Sequence, residues 1–113
     1  MLTTAERRMK IELLNKLLTD DRDRMSGESM LLAMIEMYTL VTEELVIKKA
    51  DLQNDITQIR SHRSMAITDG CDDDLLERAN TLLWKASAAD LELERQIKEF
   101  SGFIKELKAK QGD

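Results

Sequence analysis

Two runs of positions spaced alternately by three and four residues stand on either side of Asp69-Gly70. The first reads Leu31, Ile35, Tyr38, Thr42, Leu45, Lys49, Leu52, Ile56, Ile59, Arg63, Ala66. The second reads Asp72, Leu76, Ala79, Leu83, Ala86, Asp90, Leu93, Ile97, Phe100, Ile104, Leu107. Such spacing keeps one face of a helix turned toward one partner helix. Folded back at Gly70, the seams pair layer by layer, from Ala66 opposite Asp72 to Leu31 opposite Leu107. The pattern predicts a long antiparallel, coiled-coil-like hairpin, with helix 2 over 29–68 and helix 3 over 72–109.

Local signals agree with the seams. Thr3 and Glu6 form a capping box that starts helix 1, over 4–19. Its apolar face is Ile11, Leu14 and Leu18, widened by Leu13 and Leu17. Asp20-Asp21-Arg22-Asp23-Arg24 is a polar break, and Ser26 or Ser29 then offers an N-cap for helix 2, with Gly27 loosening the junction. Gly70 supplies a left-handed C-cap position. Asp72, Asp73 and Asp74 fall in the first turn of helix 3, and Lys105, Lys108 and Lys110 near its end, both matching the helix dipole.

The two halves of helix 2 differ. From Asp51 to Ile67 little beyond the seam is apolar, as suits a helix that meets one neighbour. From Met30 to Ile47, thirteen of eighteen residues are apolar, which requires cover on a second side. Helix 1 is the connected element that can supply it. The expected fold is all-α and a single domain over 1–113: a long hairpin whose open end carries a short N-terminal helix, giving a three-helix bundle with a two-helix stalk.

Composition narrows the classes of function. Proline is absent and charged residues make up 35% of the chain, which suits long solvated helices. A net charge of −5 argues against a general nucleic-acid binder, and no aromatic residues are interleaved with the basic ones for base stacking. One cysteine cannot form an internal disulfide, so the expected location is cytoplasmic. Arg7, Arg8 and Lys10 are not followed by the apolar stretch of a signal peptide. The most hydrophobic window, Met30 to Ile47, is interrupted by Glu36, Glu43 and Glu44, so no membrane span is expected.

Candidate chemistry is sparse. His62 has no second histidine with which to build a metal site, Cys71 sits among carboxylates that raise a thiol pKa, and no phosphate-binding loop occurs. The expectation is a protein that is not an enzyme and carries no cofactor or metal. Three constellations remain. Lys49 and Asp90 share a layer of the seam and act as a register pair, or their side chains reach solvent at its edge. The stripe Met30, Met34, Met37, Val41, with Tyr38 beside it, either packs under helix 1, forms a homodimer interface, or accepts a target helix. The tip carboxylates Asp69, Asp72, Asp73 and Asp74 either contact a partner or form a solvated cap; their spacing does not fit a calcium loop. Arg7, Arg8, Lys10, Lys48 and Lys49 form a modest basic cluster whose expected counter-charges are Asp90, Glu92 and Glu94.

A short first helix, a long hairpin and an acidic balance resemble the small helical chaperones of flagellar and type III export systems, and the small helical inhibitors encoded by phages. The resemblance is one of architecture, and no motif transfers a functional residue. It implies a chaperone, adaptor or inhibitor that covers part of a larger protein. The alternatives are a structural coiled-coil protein that self-assembles, and a weak RNA-binding hairpin. A homodimer is the expected state.

Overall fold

The computed structural model describes residues 2–70 and 72–112. Among them are three α-helices, α1 (Thr4–Asp20), α2 (Gly27–Thr68) and α3 (Asp73–Gln111), with a 3-10 turn at Arg22–Arg24. The fold is the expected all-α hairpin with a short first helix: α2 packs against both α3 and α1.

The helix ends follow from their capping chemistry. Thr3 Oγ1 accepts the amide of Glu6 at 3.1 Å and opens α1. Ser26, not Ser29, caps α2: its Oγ accepts the Ser29 amide at 3.1 Å, so the helix begins two residues earlier than expected and Gly27 lies inside its first turn. Gly70 takes φ +73°, the left-handed conformation that a residue without Cβ adopts at little cost, and ends α2. Asp72 then accepts the Asp74 amide through Oδ1 at 3.1 Å. It caps α3 from outside the helix and stays exposed, so the expected Ala66–Asp72 layer does not form as a seam layer. An N-cap carboxylate must point back along the backbone, which takes it out of the seam; Leu76 is the first α3 residue packed there.

The chain divides into two compact units, one comprising the chain up to Leu45 with the chain from Gln96, the other Val46–Arg95. The first is the three-helix bundle. Its buried apolar side chains are Ile11, Ala33, Leu40 and Leu107. Ala33 and Leu40 lie off the hairpin seam, which shows the second covered side that the apolar run of α2 required. Tyr38 holds its ring between Phe100, at 5.7 Å between centroids, and Phe103, at 5.1 Å edge-on. Such contacts add about 0.5–1.5 kcal/mol each beyond the area they bury. Leu13 is 63% exposed and Leu17 is also exposed, so they do not widen the core face of α1 as expected. At 100° per residue they fall with Met9 on the side of the helix opposite Ile11.

The second unit, Val46–Arg95, is a two-helix hairpin. Every seam residue from Lys49 to Ala66 and from Leu76 to Leu93 is buried or half-buried. Ser87 is the one addition to that set among the described residues, and all others in the unit are exposed. The alternation of three and four therefore identifies the packed face almost residue by residue. That face is thin. Ile56 is the one apolar side chain of this unit that is buried rather than half-buried among the described residues.

Candidate interaction surfaces

The basic residues of α1 meet carboxylates of α2, and this sets how the two helices cross. Arg7 Nε lies 3.4 Å from Glu43 Oε2, Arg8 Nη1 lies 3.0 Å from Glu44 Oε2, and Lys10 pairs with Glu36. Arg7 and Arg8 meet Glu43 and Glu44, while Lys10, further along α1, meets Glu36 about two turns earlier on α2, so the helices run antiparallel. Glu36, Glu43 and Glu44 are the three charges that interrupt the apolar window of α2; each faces a cation from α1. Arg7 is 4% exposed, packing its stem over the core while its guanidinium also donates to the Leu2 carbonyl at 3.4 Å. Arg7, Arg8 and Lys10 belong to the basic cluster read from the sequence, together with Lys48 and Lys49. Of that cluster, Lys49 meets its expected partner: its Nζ lies 3.4 Å from Asp90 Oδ1.

The methionine stripe is partly covered. Met30, Met34, Met37, Tyr38 and Val41 are all half-buried within the bundle, between the fully packed positions Ala33 and Leu40. The tip carboxylates Asp69, Asp72, Asp73 and Asp74 are exposed. Asp72 is used as the α3 cap, and Asp74 Oδ2 lies 3.4 Å from Arg78 one turn on. Cys71 lies outside the described residues. Among the described residues, no group of three His, Cys, Asp or Glu side chains gathers in a way that could hold a metal ion. Among the described residues, no helix is long and apolar enough to cross a membrane.

The larger apolar exposure lies elsewhere, off the seam. In the hairpin unit Val46, Ile47, Met65, Ile67, Leu75, Leu82, Trp84 and Leu91 all stand exposed, with Trp84 at 82% and Leu91 at 66%. Four of them form two edges on α3. Leu75 and Leu82, seven residues apart, flank a groove completed by Ile59, His62, Arg63 and Ala79. Trp84 and Leu91, also seven apart, flank Ser87 and Ala88 on another face. A second groove opens there between Gln53, Thr57 and Arg60 of α2 and Ser87 and Leu91 of α3, with Ile56 and Asp90 in its wall. Asp90 Oδ1 is buried in that wall and accepts no hydrogen bond; Lys49 neutralises it without donating one to it. On α1, Met9, Leu13 and Leu17 make a third exposed stripe at four-residue spacing. The signal for these edges was present in the sequence as apolar residues recurring at seven-residue intervals beside the seam, a pattern distinct from the seam itself.

Compared with protein-family models, with curated proteins and with solved structures, the chain finds no match. The reading of function rests on the fold and its surfaces.

Proposed function

We propose that this chain is a non-catalytic protein–protein interaction module that acts as a small chaperone, adaptor or inhibitor by covering apolar surface on a larger protein. The observation that carries the reading is the imbalance of the hairpin unit. Among its described residues one apolar side chain is buried, while eight large ones are exposed. Monomeric proteins rarely leave apolar side chains grouped in this way unless the patch is a contact surface. The edge formed by Leu75 and Leu82 is the first candidate for the foreign partner, and Met34 with its neighbours is the second. The exposed carboxylates at Asp69 and Asp72 to Asp74 would serve as an additional polar contact.

The test is affinity capture of the tagged chain from its host, with the recovered proteins identified and the complex mass measured by light scattering. A stoichiometric foreign protein, lost with Leu82→Glu or with Met34→Glu while helicity is kept, supports the reading and assigns the surface. Failure to recover any foreign protein sinks it. Self-assembly into a homodimer is a second reading, favoured by one observation: Trp84 and Leu91, seven residues apart on α3, both stand exposed.

A further inference from the structure

We infer that the groove flanked by Leu75 and Leu82 receives an acidic amphipathic helix of another protein, with a carboxylate of that helix meeting Arg63. The inference rests on the interaction reading above and deepens it, by giving the chemistry of the partner's contact segment.

Arg63 carries the argument. It is half-buried and lines a groove whose wall is otherwise apolar apart from His62. Its Nε is buried without an acceptor, while its terminal nitrogens reach solvent. No carboxylate among the described residues pairs with it. An occupant that was apolar throughout would strip water from this guanidinium and leave the charge uncompensated. A carboxylate on the occupant removes that cost, and a guanidinium binds it through two parallel hydrogen bonds.

The surrounding charge has the same sign. From Ile56 to Thr68, α2 carries Arg60, His62 and Arg63 and no Asp or Glu. From Leu75 to Ala89, α3 adds Arg78 and Lys85 against Glu77 alone. This stretch of the hairpin is basic within a chain of net charge −5. Two of the tip carboxylates are already engaged, Asp72 as the α3 cap and Asp74 with Arg78.

The form of the occupant follows from the lining. Leu75 and Leu82 stand two turns apart, about 10.5 Å along α3, and each is more than half exposed. A helix laid along the groove presents apolar side chains at the same interval. The bundle unit provides the precedent. There α1 covers the apolar run of α2 and sets Arg7, Arg8 and Lys10 against Glu43, Glu44 and Glu36. In the hairpin unit the charges that α2 contributes are reversed, so the complementary helix is acidic.

The experiment measures binding of the intact chain to three labelled peptides of about 20 residues by fluorescence anisotropy. The first carries leucines at heptad spacing flanked by glutamates. The second has the same leucines flanked by lysines, and the third keeps the glutamates but has alanine for each leucine. The first should bind at least about tenfold more tightly than either of the others. A chain at −5 attracts the lysine peptide in bulk, so a preference for glutamate reports the groove. Leu82→Glu should abolish binding of the first peptide, and Arg63→Gln should weaken it about tenfold. Leu82 is exposed, so circular dichroism should show unchanged helix content in that variant, whatever Arg63→Gln does to the hairpin. The inference is overturned if no peptide binds, if lysine serves as well as glutamate, or if binding survives Leu82→Glu. Self-association that depends on Leu82, in place of peptide binding, overturns it too. So does a single-stranded oligonucleotide that displaces the first peptide and requires Arg60 and Arg63, which would assign these cations to nucleic acid. A foreign protein captured through Met34 while no peptide binds would leave the interaction reading standing and remove only this inference.

Discussion

Lys49 and Asp90 face each other across the hairpin, with Nζ 3.4 Å from Oδ1 and both side chains about four-fifths shielded from water. They are the one oppositely charged pair that shares a seam layer. The pair neutralises charge without forming a hydrogen bond, since Asp90 Oδ1 accepts none. Because burial is incomplete, the loss on breaking the pair falls below that of a fully buried one. Lys49→Leu should cost about 1–2 kcal/mol by leaving the carboxylate uncompensated, and Asp90→Leu about as much by leaving the ammonium so. Replacing both residues by leucine should recover that loss or exceed it, at the expense of a unique register. Urea denaturation of the two single variants and the double variant closes the cycle; a double variant no more stable than the worse single one would refute the pairing.

Arg7 and Arg8 are adjacent in sequence and each meets a glutamate of α2, yet they should respond differently to truncation. Arg7 lies in the packed face of the bundle, whereas Arg8 has more than half of its side chain in water. Arg7→Ala should cost about 1–2 kcal/mol, through lost packing of the stem as well as lost charge. Arg8→Ala should cost about 0.5 kcal/mol or less, as for a surface ion pair, and less still in high salt. Thermal unfolding at two ionic strengths distinguishes the two contributions.

Two glycines should respond with opposite signs. A Cβ at Gly70 or at Gly102 meets nothing within 4 Å, so space does not decide the outcome. Gly70 holds φ +73°, where a side chain is strained, so Gly70→Ala should cost about 1 kcal/mol. Gly102 lies inside α3, where alanine is the better helix former, so Gly102→Ala should add about 0.5–1 kcal/mol. Chemical denaturation of both variants checks the pair.

The cores of the two units should be separable by truncation. Leu107→Ala, in the bundle, and Ile56→Ala, in the hairpin unit, should each cost about 2–4 kcal/mol as buried aliphatic side chains. Leu13→Ala should stay within about 0.5 kcal/mol, because its side chain faces water. A large loss at Leu13 would show that the outer face of α1 is covered in solution, and its dependence on protein concentration would say whether another copy covers it.

The sequence by itself determined the hairpin. Helical periodicity is a local property, and an alternation of three and four marks one face whatever lies against it. The seam from Lys49 to Leu93 could therefore be read before any contact was known, as could Gly70 as the reversal point and the Lys49–Asp90 layer. Asp72 escaped the same logic because a carboxylate at a helix start serves the backbone rather than the seam.

Tertiary structure alone decided the remainder. Whether Glu43 is solvated or paired with Arg7 depends on where α1 crosses α2, and spacing within α2 carries no information on that. The methionine stripe reads equally well as core or as contact surface until the cover over it is placed, and it proves half-buried. Ser87 and Leu91 stand four residues apart on α3, but the groove they line is built jointly with Gln53, Thr57 and Arg60 of α2. Burial and hydrogen-bond satisfaction are sums over neighbours distant in the chain. They are therefore settled only when those neighbours have been brought together.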